Sequence, residues 1–329
     1  MIFSDHRRCH TNENRNHSKL DLLLIDVGHF CLVSADSTCR YITLSYVWGN
    51  MPFLKTTTHN LPQLRKEGAL VQANGTPTVI TDAILLTRSI GEKYLWVDAL
   101  CLVQNDNVAK YRGINQMHKI FAQACLTIVA ASARDAYSCL PGVRSATRLS
   151  LVSDAIGGIQ LTKAMPSAFK EYTGTIHQSR GWTFQEILLS RRCLIITYDQ
   201  LYFRCLSNLR CEMDEKNAET GLASGQNNNS SLDPYISLYA NLVESYTHRH
   251  LTFEADVLNA FAALQATLSK QMKAGFAFGM PLANLGKALL WTTKHQGAPR
   301  RHIDHEIFPS WSWISWQNQV QWTWPIMPY

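Results

Sequence analysis

The 329-residue chain is 46% apolar and 17% charged, enough to build one large domain or two of ordinary size and too hydrophobic for general disorder. A net charge of +6 and a pI near 8.8 are a mild excess spread along the chain, which does not by itself indicate a nucleic-acid binder. The nine cysteines are odd in number and form no CxxC pair, so they read as reduced intracellular thiols rather than a disulfide framework. The opening MIFSDHRRCHTNENRN is too polar for a signal peptide, and no run of eighteen apolar residues suggests a membrane span. A cytoplasmic address without membrane partners is the expectation.

Residues 1–19 read as a hydrophilic leader. LDLLLIDVG and FCLV, within residues 20–33, then suggest a short hairpin or edge segment. YITLSYV, ended by Trp48-Gly49, reads as a buried strand. Thr81-Asp82 offers N-caps to a helix with Ala83, Leu86 and Ile90 on one face, and Gly91 stands at its C-terminal cap. YLWVD (94–98) reads as a second strand, and residues 112–124 as a helix with Ile114, Met117, Ile120, Phe121 and Ala124 at helical spacing. CLTIVAAS (125–132) is a third strand, RGWTFQEILLS a helix, and RCLIITYDQLYF (192–203) a fourth strand running toward a fifth. Strands alternating with helices predict an α/β domain with a mostly parallel sheet flanked by helices. Ligands of such sheets sit beyond the carboxyl ends of the strands. That rule points to Ser45–Gly49, Asp98–Gln104 and the residues after Ser132.

A polar stretch, KNAETGLASGQNNNSS (216–231), reads as a linker or long loop. Asp233-Pro234 then opens a helix, cap followed by proline, with Ile236, Tyr239, Leu242, Val243 and Tyr246 inward. A second helix carries Val257, Phe261, Leu264 and Leu268, and a third lies near Leu285–Trp291. The last segment holds five of the nine tryptophans, and Trp311 and Trp313 alternate as in a strand. The expected layout is a leader and edge segment over 1–40, the α/β domain over 41–205, a polar connection over 206–232, and a mainly helical region with a Trp-rich β segment over 233–329.

No phosphate loop, GxGxxG, GxSxG or HExxH motif is present. His302, His305 and Glu306, or Cys9, His10 and His17, lack companions at structural-zinc spacing, so no metal is expected. Cys101 has no evident histidine partner and reads as a small buried thiol. The terminal tryptophans read as an aromatic core, with a base- or sugar-stacking platform as the alternative.

Three blocks in order, YITLSYVWG (41–49), LWVDALCLVQND (95–106) and RGWTFQE (180–186), resemble the signatures of fungal heterokaryon-incompatibility (HET) domains. The resemblance extends through SYTHRHLTFEADVLNAFAAL and FPSWSWISW. It implies non-self recognition and programmed cell death. It also implies partners that include further copies of the HET domain and other incompatibility or NLR-like proteins. HET domains are distantly similar to Toll/interleukin-1 receptor (TIR) domains, which implies a flavodoxin-like sheet. Some TIR domains cleave NAD with one glutamate on a helix, a tryptophan lying four residues before it, and Trp182 and Glu186 match that spacing. The resemblance thus makes NAD the candidate substrate, with no separate cofactor.

Cleaving an N-glycosidic bond passes through a ribosyl cation that a carboxylate can stabilise. Glu186 is the candidate catalytic residue, and Ser45, Tyr46, Trp48, Asp98 and Trp182 are the candidate substrate-binding residues. Alternatives stay open at each. Glu186 could instead pair with Arg180, Arg191 or Arg192, Trp182 could be core, and Asp98 could cap the turn after its strand. The whole surface could also serve a non-catalytic signalling and self-association module.

Overall fold

A computed structural model of the chain describes residues 19–73, 75–148, 153–156, 159–162, 168–206, 208–212, 233–300 and 308–323. The expected leader up to residue 18, the polar stretch 216–231 and the His302–Glu306 cluster lie outside the described residues. The chain divides into two compact units, one of 1–178 with 186–222 and one of 179–185 with 223–329.

The first unit is built on strands β1 (Asp21–Asp26), β2 (Cys31–Asp36), β3 (Ile42–Ser45), β4 (Tyr94–Trp96) and β5 (Leu126–Val129). A small antiparallel hairpin of β6 (Ser153–Ile156) and β7 (Ile159–Thr162) stands apart, and β8 (Arg192–Ile196), β9 (Leu201–Cys205) and β10 (Leu209–Cys211) complete the main sheet. Its eight strands run in the order β10-β9-β8-β5-β3-β4-β1-β2. The centre, β8-β5-β3-β4, is parallel, whereas antiparallel hairpins extend it at both edges. The expected α/β architecture is therefore present, in a mixed sheet whose parallel part is central. LDLLLIDVG and FCLV form the β1–β2 hairpin, and β1 pairs with β4. RCLIITYDQLYF folds back on itself as β8 and β9, because the connection between them is only four residues long.

Every residue of β3 (ITLS) and β5 (LTIV) is buried, as expected of strands covered on both faces. Their hydroxyls form one satisfied chain. Thr43 Oγ1 meets Thr127 Oγ1 at 2.7 Å, Thr127 meets Ser190 Oγ at 2.6 Å, and Ser190 donates to the Glu186 carbonyl at 2.6 Å. The chain ties the end of the RGWTFQE helix to the sheet centre.

Helix α1 (Thr78–Ser89) packs on β3 and β4. It begins three residues earlier than Thr81-Asp82 suggested, since Pro77 fits the start of a helix. Asp82 is instead fully buried, accepting from the Leu140 N–H at 2.9 Å and pairing with Arg144 at 2.5 Å. Gly91 does follow the helix end with φ +83°. Helix α2 (Asn107–Gln123) starts before residue 112 because the Asp106 carboxylate caps the Ala109 N–H at 3.0 Å. Helices α3 (Ala168–Thr173) and α4 (Gly181–Leu189) lead into β8.

In order of appearance the parallel strands are β3, β4, β5 and β8, and their spatial order β4-β3-β5-β8 is 2-1-3-4. This is the flavodoxin-like order, whose reversal between the first and third strands sends right-handed crossovers to opposite faces. The switch point thus lies between the carboxyl ends of β3 and β5, at Ser45 and Val129.

The second unit contains α5 (Pro234–Thr247) and α6 (Ala262–Met272), with hairpin β11 (Phe276–Ala277) and β12 (Met280–Pro281), and β13 (Trp291–Thr293) paired with β14 (Val320–Trp322). Asp233 caps α5 through the Tyr235 N–H at 2.9 Å, with Pro234 first in the helix as expected. The buried face carries Ile236, Tyr239, Val243 and Tyr246, while Leu242 is half-buried. Trp311 and Trp313 do not share a strand face. Trp313 begins a 3-10 turn and is wholly buried, whereas Trp311 is 42% exposed. Among the described residues of this unit, the tryptophans paired in strands are Trp291 and Trp322. The expected helix near 285–291 is a single turn, Leu285–Ala288, because the chain re-enters a strand at Trp291.

Candidate active site at the strand switch point

The carboxyl end of β3 delivers Ser45, 1% exposed, to the switch point. There its hydroxyl donates to Glu186 Oε2 in a short hydrogen bond and lies 2.8 Å from His177 Nε2. The Tyr172 hydroxyl stands 3.3 Å from His177 Nδ1. Glu186 comes from α4, Tyr172 from α3, and His177 from the connection between them. Ser45 and Glu186, two predicted site residues far apart in sequence, are thus in direct contact. Arg180 donates to Thr252 and Arg192 to the Cys125 carbonyl.

Tyr46 and Trp48 continue from β3. The buried Tyr46 hydroxyl feels the charges of Asp98 and Glu186, yet it makes no hydrogen bond of acceptable distance and angle. Burial, with those carboxylates adjacent, holds the phenol far above its ordinary pKa, so it stays a donor. The Trp48 indole donates to Asp98 Oδ2 at 2.9 Å, and the Lys55 ammonium lies over its ring, 4.4 Å from the centroid. Asp98 opens the helical turn Asp98–Cys101 after β4 and also accepts from the Ala99 N–H at 2.7 Å. Val97 is the N-cap residue of that turn, which carries no side-chain cap bond, so Asp98 begins the turn rather than capping it.

Burial pushes the Asp98 carboxyl up to about 6, against the lowering influence of the Ala99 and Trp48 donors. A carboxyl raised this way contributes stability that is complete below its unfolded value near 3.8 and is lost as pH rises through 6. Relative to Asp98→Asn, the wild type is expected to lose on the order of 2 kcal/mol between pH 4 and pH 7. Paired denaturant titrations at the two pH values measure this, and a pH-independent difference would contradict the assignment. Cys101 is held as a thiol by burial, which pushes it up to about 12, in agreement with the inert reading.

Trp182 groups with the second unit, where its indole donates to Asp256 Oδ2 at 3.3 Å. The division between units passes through α4, after Gln185. His177 and Tyr172 were not found from sequence, since neither lies in a motif. The one available signal was a histidine a few residues before RGWTFQE.

Ser, His and Glu invite comparison with a hydrolytic triad, but the order is wrong. In a triad the imidazole stands between the hydroxyl and the acid. Here the serine stands between them, and its hydrogen goes to the carboxylate. The arrangement fixes a carboxylate rather than arming a serine.

Among the described residues, no group of three or more metal-ligating side chains occurs, and no helix is long and apolar enough to cross a membrane. No curated protein and no solved structure matches the chain. A family profile does match, that of "Heterokaryon incompatibility protein (HET)", over residues 41–186. The match covers all three signature blocks and ends on Glu186, and it supports a heterokaryon-incompatibility-type function. Residues 41–186 of this chain are a HET domain.

Proposed function

We propose that this protein is an effector of fungal non-self recognition and programmed cell death, acting by cleaving NAD at Glu186 when its HET domains cluster. One observation carries the reading. A carboxylate held by Ser45 lies at the strand switch point, beside the buried Tyr46 hydroxyl, which faces Asp98. The similarity of HET to TIR domains adds the choice of NAD.

In the reaction the bond between ribose C1′ and the nicotinamide nitrogen breaks, and its electron pair neutralises the pyridinium. Water adds to C1′ and releases a proton, leaving ADP-ribose. Glu186 stabilises the positive charge developing on the ribosyl ring. Tyr46 and Asp98 offer a donor and an acceptor to the bound nucleotide, and Trp48 an aromatic wall.

The test incubates the purified full chain, fused to an oligomerising module, with NAD and follows free nicotinamide. Wild type is expected to release it, and Glu186→Gln to be slower by about 10²–10³-fold. Silence from the clustered wild type, or an equal rate in the variant, refutes the enzyme. A second reading is favoured by the burial of Glu186, only 7% exposed and held by an internal donor. In it the network is structural and the HET domain is a non-catalytic self-association module. Cell death that persists in Glu186→Gln would select this alternative.

A further inference from the structure

Ser45 Oγ stands between Glu186 Oε2, to which it donates, and His177 Nε2, 2.8 Å away. A hydroxyl has one hydrogen to give, and an ionised carboxylate only accepts. With that hydrogen committed to Glu186, Ser45 meets Nε2 as an acceptor, so Nε2 carries the proton. In the neutral ring Nδ1 is then the acceptor, and the Tyr172 hydroxyl lies 3.3 Å from it. With that tautomer the hydrogen bonds would run one way, from Tyr172 to His177, from His177 to Ser45, and from Ser45 to Glu186.

The backbone is built to present this relay. The Thr175 N–H and hydroxyl both donate to the Tyr172 carbonyl, at 3.1 and 2.8 Å, and the Gln178 N–H donates to Thr175 Oγ1 at 3.1 Å. That stitched turn holds the Tyr172 and His177 rings 6.0 Å apart. His177 itself is wholly buried. A buried histidine in a surface-type turn, tied at both ring nitrogens, is more than core filling. An Nε2–H donated to Ser45 would leave the Ser45 hydrogen on Glu186 and hold the hydroxyl in place against the carboxylate.

We infer that His177, a residue outside the signature motifs, is a positioning residue for Glu186, acting through Ser45 as the neutral Nε2–H tautomer. The inference deepens the proposed NAD-cleaving reading and rests on it for its kinetic consequence only. A carboxylate misplaced by about 1 Å costs about 10²-fold in rate, so the effect belongs in kcat rather than KM.

Nitrogen-15 spectra of the imidazoles in the full chain, with His177 assigned by its loss in His177→Gln, are expected to show Nε2–H and an unprotonated Nδ1. The opposite tautomer or an imidazolium overturns the inference, and this measurement needs no activity. His177→Gln places an amide N–H near the Nε2 position, whereas the amide of His177→Asn reaches only as far as Nδ1. The Glu186 carboxyl carbon-13 resonance, assigned through Glu186→Gln, is expected to stay put in His177→Gln and to move in His177→Asn. Nicotinamide release is expected to follow suit, with kcat near wild type in His177→Gln, about 10²-fold lower in His177→Asn, and KM little changed in either. Equal carboxyl shifts in the two variants overturn the inference. A silent wild type with the expected spectra refutes NAD cleavage and leaves the positioning role standing.

Discussion

Trp313→Ala is expected to destabilise the second unit by about 3–5 kcal/mol, the cost of emptying a fully buried large aromatic site. Trp313 has no exposed surface and packs edge-on against Phe261 and Tyr246, at centroid distances of 5.5 and 5.9 Å. Its indole N–H donates to the Tyr239 hydroxyl at 2.9 Å, which in turn donates to the Gly279 carbonyl at 3.0 Å. The walls cannot collapse easily. The chain at Gly279 already approaches the indole so closely that a Cβ there would lie 2.9 Å from it. Trp311→Ala is the control, since Trp311 is 42% exposed and its loss should fall within about 0.5 kcal/mol. Denaturant unfolding of the two variants decides the matter. Equal midpoints would mean that Trp313 is not the centre of this core.

Much of the fold was legible where the signals were local. ITLS and LTIV are short β-rich runs buried on both faces, and they appear as the central parallel strands. Asp233-Pro234 is a cap and first-turn pair that needs no tertiary information. The misses share a cause, which is that distant residues decided them. Thr81-Asp82 has the chemistry of a cap, but Arg144 and the Leu140 N–H take the Asp82 carboxylate into the interior. The alternation of Trp311 and Trp313 suggested a strand, yet the pocket formed by Tyr239, Tyr246 and Phe261 takes one ring and leaves the other outside.

The site divides in the same way. Ser45, Tyr46, Trp48 and Asp98 could be placed from the rule that ligands meet parallel strands at their carboxyl ends. Glu186 needed the family resemblance, and its contact with Ser45 could not be foreseen from sequence. His177 had only its place shortly before RGWTFQE to mark it. GTIHQSRG carries no motif, and the contact of the histidine with Ser45 appears only once the sheet sets the two side by side.

Gly49, the last residue of YITLSYVWG, shows how a motif position can be read as backbone geometry. Gly49→Ala is expected to cost about 2–4 kcal/mol from two separable causes, a left-handed backbone and an overpacked contact. Its φ is +72°, and an added Cβ would lie 2.5 Å from the Asp135 Cβ and 3.3 Å from its Cα. Asp135 cannot swing away, because its Oδ1 accepts from the Tyr137 N–H, the Ser138 N–H and the Ser138 hydroxyl at 2.9–3.0 Å. The neighbouring Ala136 N–H also donates to the Trp48 carbonyl at 3.2 Å, so the two segments are pinned face to face. Combining Gly49→Ala with Asp135→Gly removes the clash but keeps the backbone strain. The double-mutant cycle should therefore show a coupling of at least about 1 kcal/mol, with the pair less destabilised than the sum of the singles. Strict additivity would leave backbone conformation as the sole reason for glycine. A cost under about 0.5 kcal/mol for Gly49→Ala alone would remove both reasons.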